Sequence, residues 1–333
     1  MNKHFRTFLL VIGGTLLVSG SAIFAAGCKN LKDSGKTREF DLSGQTIKNF
    51  DFDCDTSDVE FVATTDSTMK IVYKENQKVF HTEEVKDETL FIKQVEDIKW
   101  YERVFAFDFT PKKATIYLPA GHFESLKVNN STGNFKVPHD FTFDTANIKL
   151  STGDVYFNCD VTNDTRIETS TGDVYLSNIT TNSLFVRRTT GNLSMEKINA
   201  ADAINIEGDT GKTNVSDTNS ASLTIKSSTG TVNLNNTKVV GELSIEASTG
   251  DVKFNDIDFA SGVIRTSTGD VEGTLSTPKY IEANSNTGKI KIDSDRTNPQ
   301  TLKVTTSTGD IKISNNVKWL RGCNKMHLLF LKK

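Results

Sequence analysis

Cysteine is scarce in this chain: Cys28, Cys54, Cys159 and Cys323 are the four in 333 residues, and no two lie close together. An exported disulfide scaffold would be far denser, and a zinc site would need ligands paired two to four residues apart. The four read as isolated small residues, with room for one bridge that no spacing assigns. Histidine is as sparse, at His4, His81, His122, His139 and His327, and no nucleophile, phosphate-loop or metal motif forms around these positions. Neither sign of charge dominates: 39 basic residues face 42 acidic ones, a net charge of -3. The basic footprint of a nucleic-acid partner is therefore missing. Only 5 prolines occur, and no segment of the body carries the period of a long amphipathic helix.

The single long apolar run stands at the start. Lys3 and Arg6 precede an uncharged stretch from Thr7 to Cys28. At about 1.5 Å per residue such a helix crosses a hydrocarbon core of roughly 30 Å. The basic flank favours export of the rest of the chain, although Lys29 and Lys32 weaken the asymmetry. Two readings compete. One is an uncleaved membrane anchor; the other is a cleaved signal, since Ala25-Ala26-Gly27-Cys28 is similar to a lipoprotein box with Cys28 as the lipidated residue, although Ala25 stands where Leu, Val or Ile is usual. Both tether the mature body outside a membrane.

What is abundant is periodic. A Thr-Gly pair closes at Gly133, Gly153, Gly172, Gly191, Gly211, Gly230, Gly250, Gly269, Gly288 and Gly309, at intervals of 19 to 21 residues. Its cleanest form is Ser-Thr-Gly-Asp, as at Ser151 to Asp154 and Ser248 to Asp251. Aligned on the glycine, apolar columns appear seven and five residues before it (Leu223 and Ile225, for example) and two and four after it (Val232 and Leu234). From five before to two after is an odd number of steps, so plain alternation would place the two pairs on opposite faces. The turn must reset the phase. Glycine tolerates positive φ, and the neighbouring Asp is expected to bond back to the local backbone. The threonine column reads as a stacked ladder with hydroxyls bonded along the turn.

Each unit is thus a strand, a tight turn, a strand and a looser return. A propeller blade needs roughly 40 residues, twice the period available. The expected fold is all-β: a single-chain β-solenoid of about ten coils, stacked in parallel about 4.8 Å apart. The chain divides into a signal or anchor at 1–28, a linker at 29–39, irregular β coils and a cap at 40–126, the repeat solenoid at 127–316 and an atypical tail at 317–333. The tail reads either as a cap on the last coil or as a shifted frame.

Few residues suggest chemistry. Asp154 with Asp173, and Asp251 with Asp270, fall on adjacent coils, and carboxylates so placed could bind Ca²⁺ or work as an acid–base pair. The same column also holds Asn134, Asn192, Lys212, Thr231 and Lys289, which favours solvated turn residues. Arg187-Arg188 reads as an exposed basic spot, and Trp100-Tyr101-Glu102-Arg103 as packing or capping rather than a binding loop. No cofactor is implied, and the near-constant period leaves little room for the long loops of a carbohydrate-active enzyme.

The Thr-Gly turns, with Val or Ile two residues on, and the segment Ile116 to Pro119 make the chain resemble the bacterial putative-adhesin family of β-strand-repeat proteins, over roughly residues 40 to 316. The resemblance implies a membrane-anchored extracytoplasmic β-solenoid with no known catalytic residue. Some relatives look like accessory proteins of cell-envelope stress systems. The expected function is a non-catalytic surface-binding protein of the cell envelope. A partner of a membrane stress sensor is the alternative, and a carbohydrate-active enzyme the third.

Overall fold

Strand-forming residues recur every second position through most of the body, and the chain folds into one continuous stack of coils. The computed structural model describes residues 36–97 and 112–315, and these contain strands and turns but no helix. Cys28, Cys323, the cluster from Trp100 to Arg103, the anchor and the tail all lie outside the described residues.

One coil shows how the sequence builds the rest. In Ala203–Thr210, Ile204, Ile206 and Gly208 point inward, while Asp209 and Thr210 are exposed. Gly211 turns the chain at φ 130. In Thr213–Ser220, Thr213, Val215, Thr218 and Ser220 point inward. The step from Val215 to Thr218 is odd, so the phase changes a second time. Asp217 makes that change at φ 49, and Asn178, Lys197, Asn236 and Asp256 do the same six residues after their own glycines. The looser return is therefore a third side of the coil, with its own corner and its own inward residues. Seven positions per coil face the core, not four. In this coil the three beyond those in the apolar columns are Gly208, Thr218 and Ser220, small or polar, which hides them from a hydrophobic pattern.

Stacking is parallel and in register, with Thr210 opposite Thr229 and Val215 opposite Leu234. It also explains the glycines more fully than φ alone. A Cβ on Gly250 would lie 2.1 Å from the carbonyl oxygen of Gly230, the glycine one coil back. The turn needs glycine for its dihedral and again for the close approach of its neighbour.

At both ends the stacking order departs from the order along the chain. Asn49–Asp53 and Asp58–Thr64 form a coil that lies beneath Gly121–Thr132 and Phe135–Val137, while Thr89–Glu96 and Lys113–Pro119, later in sequence, lie outside it. At the far end Thr301–Thr308 fits between Ser261–Thr268 and Tyr280–Thr287. The last described coil is thus held on both sides. Antiparallel strands finish the first end: Val79–Lys86 on Thr89–Glu96, and Lys70–Glu75 on Lys113–Pro119, followed by Lys36–Asp41. The core beneath this end is aromatic, with Phe50, Phe61, Phe123 and Phe143 in contact edge to face or stacked, and gives way to aliphatic side chains further along.

Candidate functional site

The turn phrase is the first place to look for chemistry, and its side chains are engaged in holding coil to coil. Asp154 Oδ1 accepts from the backbone N–H of Asp173 at 2.8 Å, and Asp173 Oδ1 accepts from that of Asn192 at 2.6 Å. Asn134 and Asn192 make the same bond to Asp154 and Lys212, and Asp251 makes it to Asp270. The expected bond to the local backbone is therefore replaced by a ladder that joins successive coils. The amide of Asn192 holds the Asp173 carboxyl below the usual carboxylate range, and the amide of Asp270 does so for Asp251. One oxygen of each candidate carboxylate is thus taken by backbone, and among the described residues no group of three or more His, Cys, Asp or Glu side chains could hold a metal ion. The ten threonines do stack, Thr on Thr, but they are exposed, and among the described residues their hydroxyls have no protein partner. The expectation of hydroxyls bonded along the turn fails, because the side chain at this corner leans out to solvent.

Arg187 and Arg188 part company. Arg187 is exposed and lies 3.8 Å from Glu207. Arg188, expected in an exposed spot, is 1% exposed. Its Nε donates to Gly191 O at 2.9 Å and its Nη2 to Lys212 O and Thr213 Oγ1. The guanidinium fits inside because Gly208 on the next coil has no side chain; a Cβ there would meet Arg188 Cζ at 2.8 Å. Burial pulls this guanidinium down to about 10, against the opposing attraction of Asp173.

Outside the core, four residues before seven successive glycines from Gly153 to Gly269, charge alternates along the stack: Lys149, Glu168, Arg187, Glu207, Lys226, Glu246 and Arg265 are successive cross-coil partners. Parallel stacking of like charges would repel, and alternation removes that cost. A shallow furrow of about 620 Å³ runs along this face between Glu207, Lys226, Glu246 and Arg265 on one bank and Ser228 and Ser248 on the other. A second groove of about 670 Å³ opens on the same long-strand face near the first end, lined by Asp51, Asp53, Phe91, Lys93, Lys127 and Lys149.

One polar cluster joins residues that no single sequence motif brings together. Ser57 Oγ lies 2.8 Å from His81 Nε2, and His81 Nδ1 lies 3.1 Å from Glu75 Oε2. That order matches a nucleophile, base and acid. The serine, however, is fully buried and also donates to Gln94 Oε1 at 2.8 Å, so the arrangement has no room for a substrate. It fastens the end coils instead. Arg38 completes it, reaching Glu75 Oε1 and Glu83 Oε1 at 2.6 Å each, with its guanidinium over Tyr73. Burial lowers the His81 pKa, opposed by Glu75. Burial alone would raise the Glu75 carboxyl, but the bonds from Arg38 and His81 outweigh it and hold the group below its ordinary value. The sequence does carry a signal for this cluster. Thr56-Ser57-Asp58-Val59 is the repeat phrase with serine in place of glycine, and Asp58 Oδ1 accepts from the Asn134 N–H at 2.7 Å as the other ladder carboxylates do. Cys54 and Cys159 are buried free thiols, pushed upward by burial, Cys54 to about 12.

A crystal structure of a putative adhesin from Bacteroides fragilis is 14% identical, covering 85% of this chain and 98% of that one, with a TM-score of 0.39. A putative cell adhesion protein from Clostridium sporogenes is 12% identical, covering 85% of this chain and 100% of that one, with a TM-score of 0.23. Among curated proteins none matches the chain. The family model described as Toastrack DUF4097 matches residues 47–314, most of the length and all of the repeat glycines. On that match, the chain belongs to the Toastrack DUF4097 family.

Proposed function

We propose that this protein is a non-catalytic, membrane-tethered extracytoplasmic solenoid that binds a cell-surface, envelope or host ligand along the outer face of its long strands. The observation that carries the reading is the position of both grooves. Each lies on that one face, and the furrow runs across successive coils as an extended ligand would. The side chains with catalytic order, Ser57, His81 and Glu75, are buried, which supports a binding role over turnover. The uncharged run from Thr7 to Cys28 supports the tether.

Crosslinking in intact cells, with subsequent capture of the full chain, tests the reading. Wall, surface or host material as the dominant partner is expected, with recovery reduced when Lys226 and Arg265 are replaced by Glu. A membrane sensor kinase as the dominant partner would overturn it in favour of the envelope-stress role.

A further inference from the structure

On the side of the coils just after the turn, the outward position three residues past each glycine forms a ladder. In stack order it runs Lys136, Tyr156, Tyr175, Ser194, Asn214, Asn233. The two tyrosines stack with centroids 4.9 Å apart and planes 6° from parallel. They are 39% and 40% exposed, unusual for aromatic rings among the described residues. Their hydroxyls are anchored, Tyr156 to Asp154 at 3.4 Å and Tyr175 to Asp173 at 3.1 Å. The rings are therefore held in fixed planes.

The next rung is missing. Ser194 stands where a third ring would continue the stack, and its side chain is too short to cover the outer face of Tyr175. Beyond it, Asn214 is braced by Asn233, whose Nδ2 donates to Asn214 Oδ1 at 2.8 Å. Two coil steps of about 4.8 Å separate Tyr175 from Asn214 by about 9.6 Å. A ring in contact needs about 3.5–4.0 Å on each side, so the slot admits one ring. The wall of the slot is an aromatic face. Its floor is the Ser194 hydroxyl, and the far wall is the Asn214 amide, whose Nδ2, like Ser194 Oγ, has no protein partner among the described residues. Cross-strand pairing accounts for the contact between the two rings, but not for the open face beside them.

We infer that this slot is a sugar subsite in which a neutral pyranose stacks on Tyr175 and takes hydrogen bonds from Ser194 and Asn214. An aromatic face suits the C–H face of a pyranose, and a hydroxyl and an amide suit its hydroxyl groups. A flat aromatic ligand would use the Tyr175 face alone, whereas a sugar also engages the hydroxyl and the amide, which favours the sugar. The inference goes beyond the surface-binding reading: the slot lies on the side after the turn, apart from the face that carries the two grooves, and the ligand class it names is a neutral glycan.

The full chain is titrated by calorimetry with cellotetraose, chitotetraose, maltotetraose and phenol, and separately mixed with whole cell walls. Two variants are compared, Tyr175→Ala, which removes the wall, and Ser194→Tyr, which fills the slot and extends the stack. At least one tetrasaccharide should bind the unaltered chain, and both variants should weaken it tenfold or more. Ser194→Tyr should melt no lower than the parent, so its loss of binding would not reflect unfolding. Absence of binding to all three sugars, equal binding by Ser194→Tyr, or a preference for a simple phenol over every glycan would overturn the subsite. Unchanged cell-wall binding by Ser194→Tyr would overturn the subsite while leaving the surface-binding reading intact, and an unaltered chain that binds neither walls nor sugars ends the subsite, the surface-binding reading being decided by the crosslinking in intact cells.

Discussion

At the scale of the residue, two neighbours in the turn phrase do different work. Gly250 is held at φ 136, and its Cα faces the Gly230 carbonyl with no space for a Cβ. Replacing it by valine should cost about 2–4 kcal/mol, from dihedral strain and a clash that two coils must absorb. Asp251→Asn should stay within about 0.5 kcal/mol, because Asn134 and Asn192 already make the same bond elsewhere in the stack. Thermal melts of the two variants check this; equal shifts would count against both assignments. His81 sets a pH dependence. Its folded pKa is depressed by burial, so its contribution to stability is complete above the unfolded value of about 6.5 and is lost as pH falls through the folded value. The Glu75 carboxyl is depressed as well, so its share is lost only at lower pH, below the ordinary glutamate value. Denaturant midpoints measured between pH 7 and pH 5 should fall in the parent. In His81→Gln that slope should largely vanish.

At the scale of the element, each coil is bent by two kinds of corner. Glycine makes one, and a non-glycine residue at positive φ makes the next. Asn and Asp occupy most of the second corners, where their side chains ease the left-handed conformation. Lys197, at φ 55, has no such help. Lys197→Asn should therefore stabilise the protein by a few tenths of a kcal/mol up to about 1 kcal/mol, read as a rise in melting temperature. An unchanged or lower melting point would show that the corner places no demand on its residue type. These corners explain why the third side reads from sequence as a loose return: its inward residues include Thr218 and Ser220, which a search for apolar columns passes over. The first side is easier to read, because Leu223 and Ile225 alternate plainly with polar neighbours.

At the scale of the whole molecule, the stack is closed by departures from sequence order. The far end depends on Lys279, which is fully buried and donates to Asp258, Thr277 and Gln300 at 2.7 to 2.8 Å. That side chain holds the chain where it skips one level, leaving the gap that Thr301–Thr308 fills. Removing it leaves Asp258 without its charged partner, a loss of about 3–5 kcal/mol for a buried pair and less here because Asp258 is partly exposed. Lys279→Met should speed amide exchange over residues 280–315 while leaving 121–250 nearly as protected as before. Uniform loss of protection along the stack would mean that the end does not open by itself.

The sequence determined the repeat, the all-β class and the parallel stack, because a period near 20 with fixed apolar columns leaves one way to bury them. The residues facing solvent were legible only as polar. Tertiary structure decided which of them meet: Tyr156 and Tyr175 are 19 positions apart, and Ser57 and His81 are 24 apart. It also decided the order of coils at the two ends. Period alone states that coils are equivalent, and equivalent coils can exchange places. Specific contacts such as Lys279 with Asp258 and Ser57 with His81 are what make each end coil fit at one level of the stack.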